Sequence, residues 1–180
     1  MPSAVTAYRI FIASPGGLDD ERQTFRQVIN DYNESDALDD GALFVPVGWE
    51  LARAGMGRPQ ELINAMVRRC DYFVLVLHDR WGTAPSAGGP YTSGTEEEFH
   101  IARQCFQNQT MRDIAIFFKE VDPRRVSDPG AQLQKVLGFR ASLEASRELL
   151  FTRFDSLAAF ETRLRNHLGD WRRRHRGVTP

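Results

Sequence analysis

Between Asp71 and His78 the chain reads DYFVLVLH, and its central residues form an unbroken apolar run. Successive side chains of a strand point to opposite faces, so a strand with no polar position has both faces covered. That requires a sheet sandwiched between two layers, and it makes this run a central strand. Shorter apolar runs flank it: YRIFIAS (Tyr8–Ser14), LFVPVGW (Leu43–Trp49), DIAIFFK (Asp113–Lys119) and ELLFTRF (148–154). Between them the apolar period changes from two to helical. Leu18, Phe25, Val28, Ile29 and Tyr32 predict a helix to about Asn33. Leu62, Ile63, Met66 and Val67 predict another that opens at Pro59, a residue suited to the first helical turn. A third opens at Thr95 and carries Phe99, Ile101, Ala102, Cys105 and Phe106. A fourth runs from about Gly130 to Ala145, and a last amphipathic helix follows Ser156, the expected N-cap.

Five strands alternating with five helices predict an α/β flavodoxin-like three-layer sandwich, with a five-stranded parallel sheet in the order 2-1-3-4-5 and helices on both faces. Pro46 places the second strand at an edge. NESDALDDG reads as a polar loop, and DRWGTAPSAGGPYTSG as a long loop of the kind that carries function. The expected division is one domain over residues 1–171 and a basic polar tail or linker over 172–180, in which WRRRHR reads as a cationic helix end followed by a solvated tail.

Composition narrows the function classes. Lys and Arg number 23 against 24 Asp and Glu, for a net charge of −1, so no global field recruits nucleic acid or an anionic membrane. No apolar run approaches the ~20 residues that span a bilayer. A cytoplasmic protein is expected. Cys70 and Cys105 stand apart from each other and from any histidine pair, which argues against a disulfide framework and against a metal site.

In such folds ligands bind beyond the carboxyl ends of the strands, where the strand order reverses. SPGG after strand one, GWELARAGMGR after strand two and DRWGTAPS after strand three are expected to converge there, with the start of the Thr95 helix. That start carries three adjacent carboxylates, Glu96, Glu97 and Glu98. At 100° per residue Glu98 falls near the centre of the buried stripe, whereas Glu96 and Glu97 are expected to meet solvent. Two readings of Glu98 stand side by side. Thr95-x-x-Glu98 is a capping box, in which the glutamate reaches back to the Thr95 amide. Alternatively it is an inward-facing acid held ionised by the helix dipole, able to stabilise positive charge or to accept hydrogen bonds from sugar hydroxyls.

The order of these motifs resembles that of Toll/interleukin-1 receptor (TIR) domains. YRIFIASPGG resembles their first strand and loop, VGWELARAGMGRPQELINAMVRRCDYFVLVLH the stretch that follows, and EEFHIA the helix bearing the glutamate that is catalytic in enzymatic TIR domains. A nearer resemblance is to a TIR-related family of unknown function found at the N-termini of large signalling NTPases. Arg9–Ser14 with Asp20-Glu21-Arg22, Trp81-Gly82, and Thr95 with Glu98 match its pattern as far as about Trp171. GTEEE also resembles the Gly-Thr-x-x-Glu of nucleoside deoxyribosyltransferases, again aligning Glu98.

These resemblances imply cleavage of the nicotinamide–ribose bond of NAD, by hydrolysis or cyclisation, in immune or stress signalling. NAD is then a substrate, and no cofactor or metal is required. Glu98 is the implied catalytic residue. The residues expected to hold the nucleotide are Ser14 and Gly16 in the first loop, alternatively a simple turn; Trp49, alternatively structural; Arg58 facing a diphosphate, alternatively solvated; and Trp81 as a stacking surface or, alternatively, a buried anchor of its loop. The resemblance also implies self-association with like domains and a downstream sensor or NTPase. Where TIR enzymes commonly carry a Trp-Cys pair shortly before the glutamate, this chain has Gly94-Thr95. Two further readings follow: a non-catalytic interaction module, and an enzyme acting on the N-glycosidic bond of nucleosides.

Overall fold

The computed structural model describes residues 4–51 and 58–175. Every apolar run forms a strand: β1 (Thr6–Ala13), β2 (Ala42–Val47), β3 (Tyr72–Leu77), β4 (Asp113–Lys119) and β5 (Phe151–Phe154). All neighbouring pairs are parallel, in the order β2-β1-β3-β4-β5, with Phe11 opposite Phe73 and Leu75 opposite Ile116. The helices are α1 (Asp19–Ser35), α2 (Ala37–Asp40), α3 (Pro59–Val67), α4 (Gly94–Gln107), α5 (Pro123–Ser127), α6 (Ala131–Ser146) and α7 (Leu157–His175), with a 3-10 turn at Trp49–Leu51.

Alternation along the strands divides the interior into two cores. Phe11, Phe73, Leu75, Ile116 and Phe118 face one side, where α3, α4 and α6 contribute Val67, Phe99, Ala102 and Val136. Ile10, Ile12, Val74, Val76 and Phe117 face the other, covered by Phe25 and Ile29 of α1 and by Phe160, Leu164 and Trp171 of α7. Every residue of β3 is buried. Burial of each large apolar side chain contributes roughly 1.5–3 kcal/mol, so this strand is the most heavily committed element of the fold. β2 lies at an edge, as its proline requires. Among the described residues no helix is long and apolar enough to cross a membrane.

Four boundaries differ from those expected. The NESDALDDG loop contains α2, anchored by buried Ala37 and ended by Gly41 in the left-handed conformation (φ 66°). The segment before α6 forms the short helix α5, capped by Asp122, which accepts from the Arg124 amide. β5 starts only at Phe151, because Leu150 turns outward and is 94% exposed. Most consequentially, α7 continues beyond residue 171 to His175. The His175 ring is buried, stacks on Tyr8 at 3.8 Å between centroids and lies 2.7 Å from the Tyr72 hydroxyl. Arg172 pairs with Asp36 and Asp40, and Arg174 with Asp113. Residues 172–175 therefore belong to the domain rather than to a solvated tail, and 176–180 lie outside the described residues.

The end of α7 is accordingly expected to support global stability. Trp171 is fully buried, stacks on Tyr72 at 4.3 Å and donates its indole N–H to Asp113 at 2.9 Å. Trp171→Ala should cost about 3–5 kcal/mol in urea denaturation, the range for deletion of a large core aromatic.

Candidate functional site

α1 leaves β1 toward one face of the sheet, while α4, which follows β3, lies on the other. The chain therefore parts between these neighbouring strands, and a cleft of about 350 Å³ opens at their carboxyl ends. Pro15 and Gly16 border it after β1, and Gly82 to Pro85 after β3. The first turn of α3 adds Pro59 and Gln60; the first turn of α4 adds Gly94, Thr95 and Glu98. The volume lies at the small end of the roughly 300–1,000 Å³ typical of small-molecule sites.

The local start of α4 decides what Glu98 is free to do. Ser93, not Thr95, is the N-cap: its hydroxyl accepts from the Glu96 amide at 3.0 Å. Glu96 in turn accepts from the Thr92 amide at 2.6 Å and the Thr92 hydroxyl at 2.9 Å. The cap expected at Thr95 and Glu98 is thus built two residues earlier, by Ser93, with Glu96 reaching back to Thr92 rather than to the N-cap amide, because helical geometry already begins at Gly94. Glu98 takes no part in it. The residue is 7% exposed and lines the cleft, and its carboxylate accepts a hydrogen bond from Gln60 Nε2 at 3.0 Å.

Burial pushes the Glu98 carboxyl up to about 7; the Gln60 bond opposes this, and the neighbouring Glu97 charge adds to it. The expectation that the helix dipole keeps Glu98 ionised at neutral pH is therefore corrected. Desolvation of a buried acid with no cation paired to it among the described residues outweighs the dipole and holds the carboxyl above its ordinary range.

Glu97 is also buried, contrary to the solvent position expected from helical phase. That phase measured only the side facing the sheet, whereas α3 covers a second side of α4. From α3, Asn64 donates to Glu97 Oε1 at 2.7 Å, and the Arg58 guanidinium donates to the same oxygen at 2.8 Å. Gln60 links the two acids, since its amide nitrogen also lies 3.1 Å from Asn64 Oδ1. At Gly94 a Cβ would come within 2.5 Å of Gln60 Oε1, so a side chain there would displace the Gln60 amide from Glu98.

Of the residues singled out in the sequence, Glu98 and Gly16 come together in the cleft. The others lie elsewhere. Arg58 is turned to Glu97 and Glu61. Ser14 is buried and accepts from Arg22 at 2.8 Å. Trp49 is 48% exposed and carries the Arg22 guanidinium over its ring at 5.9 Å. Trp81 is buried against Phe139 and donates its indole N–H to Thr92 at 2.7 Å, the geometry of an anchor for the long loop. Most of the loop after strand two, residues 52–57, lies outside the described residues. Gln60, Asn64 and Glu97 were not singled out. The available signal was Pro59, which sets Gln60 in a first turn and Asn64 one turn later on the same side.

Both cysteines are free and buried, and burial pushes the Cys70 thiol up to about 12. Among the described residues no cluster of three or more His, Cys, Asp or Glu could hold a metal ion.

A family model described as a domain of unknown function, DUF4062, matches residues 9–169. Comparison with the curated proteins found no match. Among solved structures the chain is similar to the TIR domains in the structure of the activated Roq1 resistosome directly recognizing the pathogen effector XopQ. The TM-score is 0.40 and the identity 16%, over 88% of this chain and 82% of that one.

Two measurements test the electrostatics of Glu98. A carboxyl titrating near 7 rather than at its ordinary 4.5 binds a proton in the folded state that the unfolded state has already lost. Stability should therefore fall by roughly 3 kcal/mol as pH rises across that window. Urea denaturation at pH 5 and pH 8 should show this fall in the wild type and not in Glu98→Gln. Separately, Gln60→Leu removes the bond that favours the ionised form, so the Glu98 carboxyl-carbon titration followed by NMR should move above its wild-type midpoint.

Proposed function

The chain belongs to the DUF4062 family, a domain of unknown function, and we propose that it is a TIR-like module that cleaves the nicotinamide–ribose bond of NAD. The observation that carries this reading is the Glu98 carboxyl: buried at the cleft, free of any capping role and, among the described residues, unpaired with any cation. When the bond to nicotinamide breaks, both bonding electrons leave with the base and the ribose C1′ becomes cationic. An ionised Glu98 stabilises that charge and accepts hydrogen bonds from the ribose hydroxyls. Nicotinamide departs as a neutral base, so its departure needs no protonation. In hydrolysis, water adds to C1′ and gives up its proton, for which a carboxylate titrating near 7 is a matched acceptor. The motif resemblance supports the same assignment and is consistent with a signalling role exercised by clustered like domains.

The test follows nicotinamide release from NAD by domains clustered on an oligomeric scaffold. Glu98→Gln should lower the rate by about 10²-fold or more, and the wild-type rate should rise with pH through about 7 as Glu98 ionises. Equal rates for wild type and Glu98→Gln would remove Glu98 from the reaction. No turnover by the clustered wild type would leave the interaction-module reading in its place.

A further inference from the structure

The Glu98 cleft does not end at the glycines that border it. A second cleft of about 550 Å³ adjoins it and shares Gly16, Gly82 and Thr83. Its other borders are Asp79, Arg80, Arg125 and Gln132. The two hollows meet at these three residues, and we read them as halves of one groove with a saddle at Gly16 and Gly82. Resting on the proposed function above, we propose that the Arg80 half of this groove binds the diphosphate of a dinucleotide, so that the substrate is a dinucleotide rather than a nucleoside.

Three features support the assignment. The first is charge. Arg80 is exposed and has no hydrogen-bond or ion-pair partner among the described residues. Its side chain lies across Gly17, with Cδ 3.9 Å from where a Cβ would stand. The acid in this half, Asp79, is already neutralised by Arg125 at 2.7 Å. The local balance is one uncommitted guanidinium, a donor fork suited to a diphosphate.

The second is the saddle. At Gly16, which borders both hollows, a Cβ would meet no atom within 4 Å. Gly82 adopts φ 99°, a conformation that side-chain-bearing residues rarely take, and a Cβ there would meet Ser93 at 3.3 Å. The absence of side chains at both points leaves the passage between the halves open.

The third is rigidity. Gln132 Oε1 accepts from the Trp81 amide at 2.8 Å and the Gly82 amide at 2.9 Å, and its Nε2 donates to the Gly82 carbonyl at 3.2 Å. With Trp81 buried beneath, the saddle is held in place before any ligand arrives. A nucleoside would occupy the Glu98 half and leave Arg80 without a partner. A ribose at Glu98 joined to a diphosphate at Arg80 uses both halves.

The experiment is calorimetric titration of Glu98→Gln protein, which should bind without turnover, with ADP-ribose and with nicotinamide riboside. Adding Arg80→Ala should weaken ADP-ribose by about tenfold or more, the loss of one charge-assisted contact, and should not change the riboside. Gly16→Leu, whose Cβ would meet no atom within 4 Å and whose φ is not strained, should also weaken ADP-ribose. Equal ADP-ribose affinity with and without Arg80, or no ADP-ribose binding by folded protein, would overturn the proposal. The two claims separate cleanly. Glu98-dependent NAD cleavage with a KM indifferent to Arg80 would sink the groove alone. Arg80-dependent ADP-ribose binding without NAD cleavage would sustain the groove and sink the hydrolase.

Discussion

The burial of β3 on both faces governs the rest of the molecule. A strand with no polar position must have helices on each side, and its neighbours must supply alternating apolar faces to both. β1 and β4 do so, with Ile10 and Ile12 turned one way and Phe11 the other, and Phe117 opposed to Ile116 and Phe118. Because β1 is followed by a helix on one face and β3 by a helix on the other, the chain diverges at their carboxyl ends. The cleft is a consequence of covering both faces, and its position follows from topology before any functional residue is considered.

Charge then fixes the rim. Glu21, almost completely buried in the first turn of α1, takes Lys119 from the end of β4 at 2.6 Å. Arg22, beside it, bonds Ser14 after β1 and Glu50 after β2. These residues belong to the Asp20-Glu21-Arg22 motif, and their work is to tie one helix to three strand ends. A buried ion left without its partner costs several kcal/mol, so these pairs make the rim intolerant of change. Glu97 is held in the same way by Arg58. Glu98 differs from both: it is as buried as Glu97, yet among the described residues it receives an amide and no cation.

The sheet was legible because its signal is carried by strand composition: DIAIFFK forms β4 over its whole length, and the order of strands follows from alternation with helices. The ends of elements were less legible. α7 runs past Trp171 because Tyr8 and Tyr72, distant in sequence, receive His175. Glu98 could be placed inward from helical phase alone, since phase is a property of one helix. Its neighbour Glu97 could not, because α3 buries it, and contact between two helices has no local signature. The cap shifted from Thr95 to Ser93 for a related reason. Both residues can cap, and the choice depends on where the chain leaves the long loop, with the Gly94 amide bonded to the Thr83 carbonyl at 3.1 Å.

An acid buried with no cation paired to it among the described residues is an unfavourable arrangement, and burial moves its titration upward. Such a group is best satisfied by positive charge that appears beside it. In the proposed reaction, charge that begins on the nicotinamide ring moves to the ribose carbon as the bond breaks. A fixed carboxylate next to the sugar gains more from that state than from the starting one, and this difference lowers a barrier where uniform binding does not. A cation built into the site would have satisfied Glu98 in the resting protein and removed the difference. Gln60 meets both needs: it orients the acid and leaves its charge uncompensated.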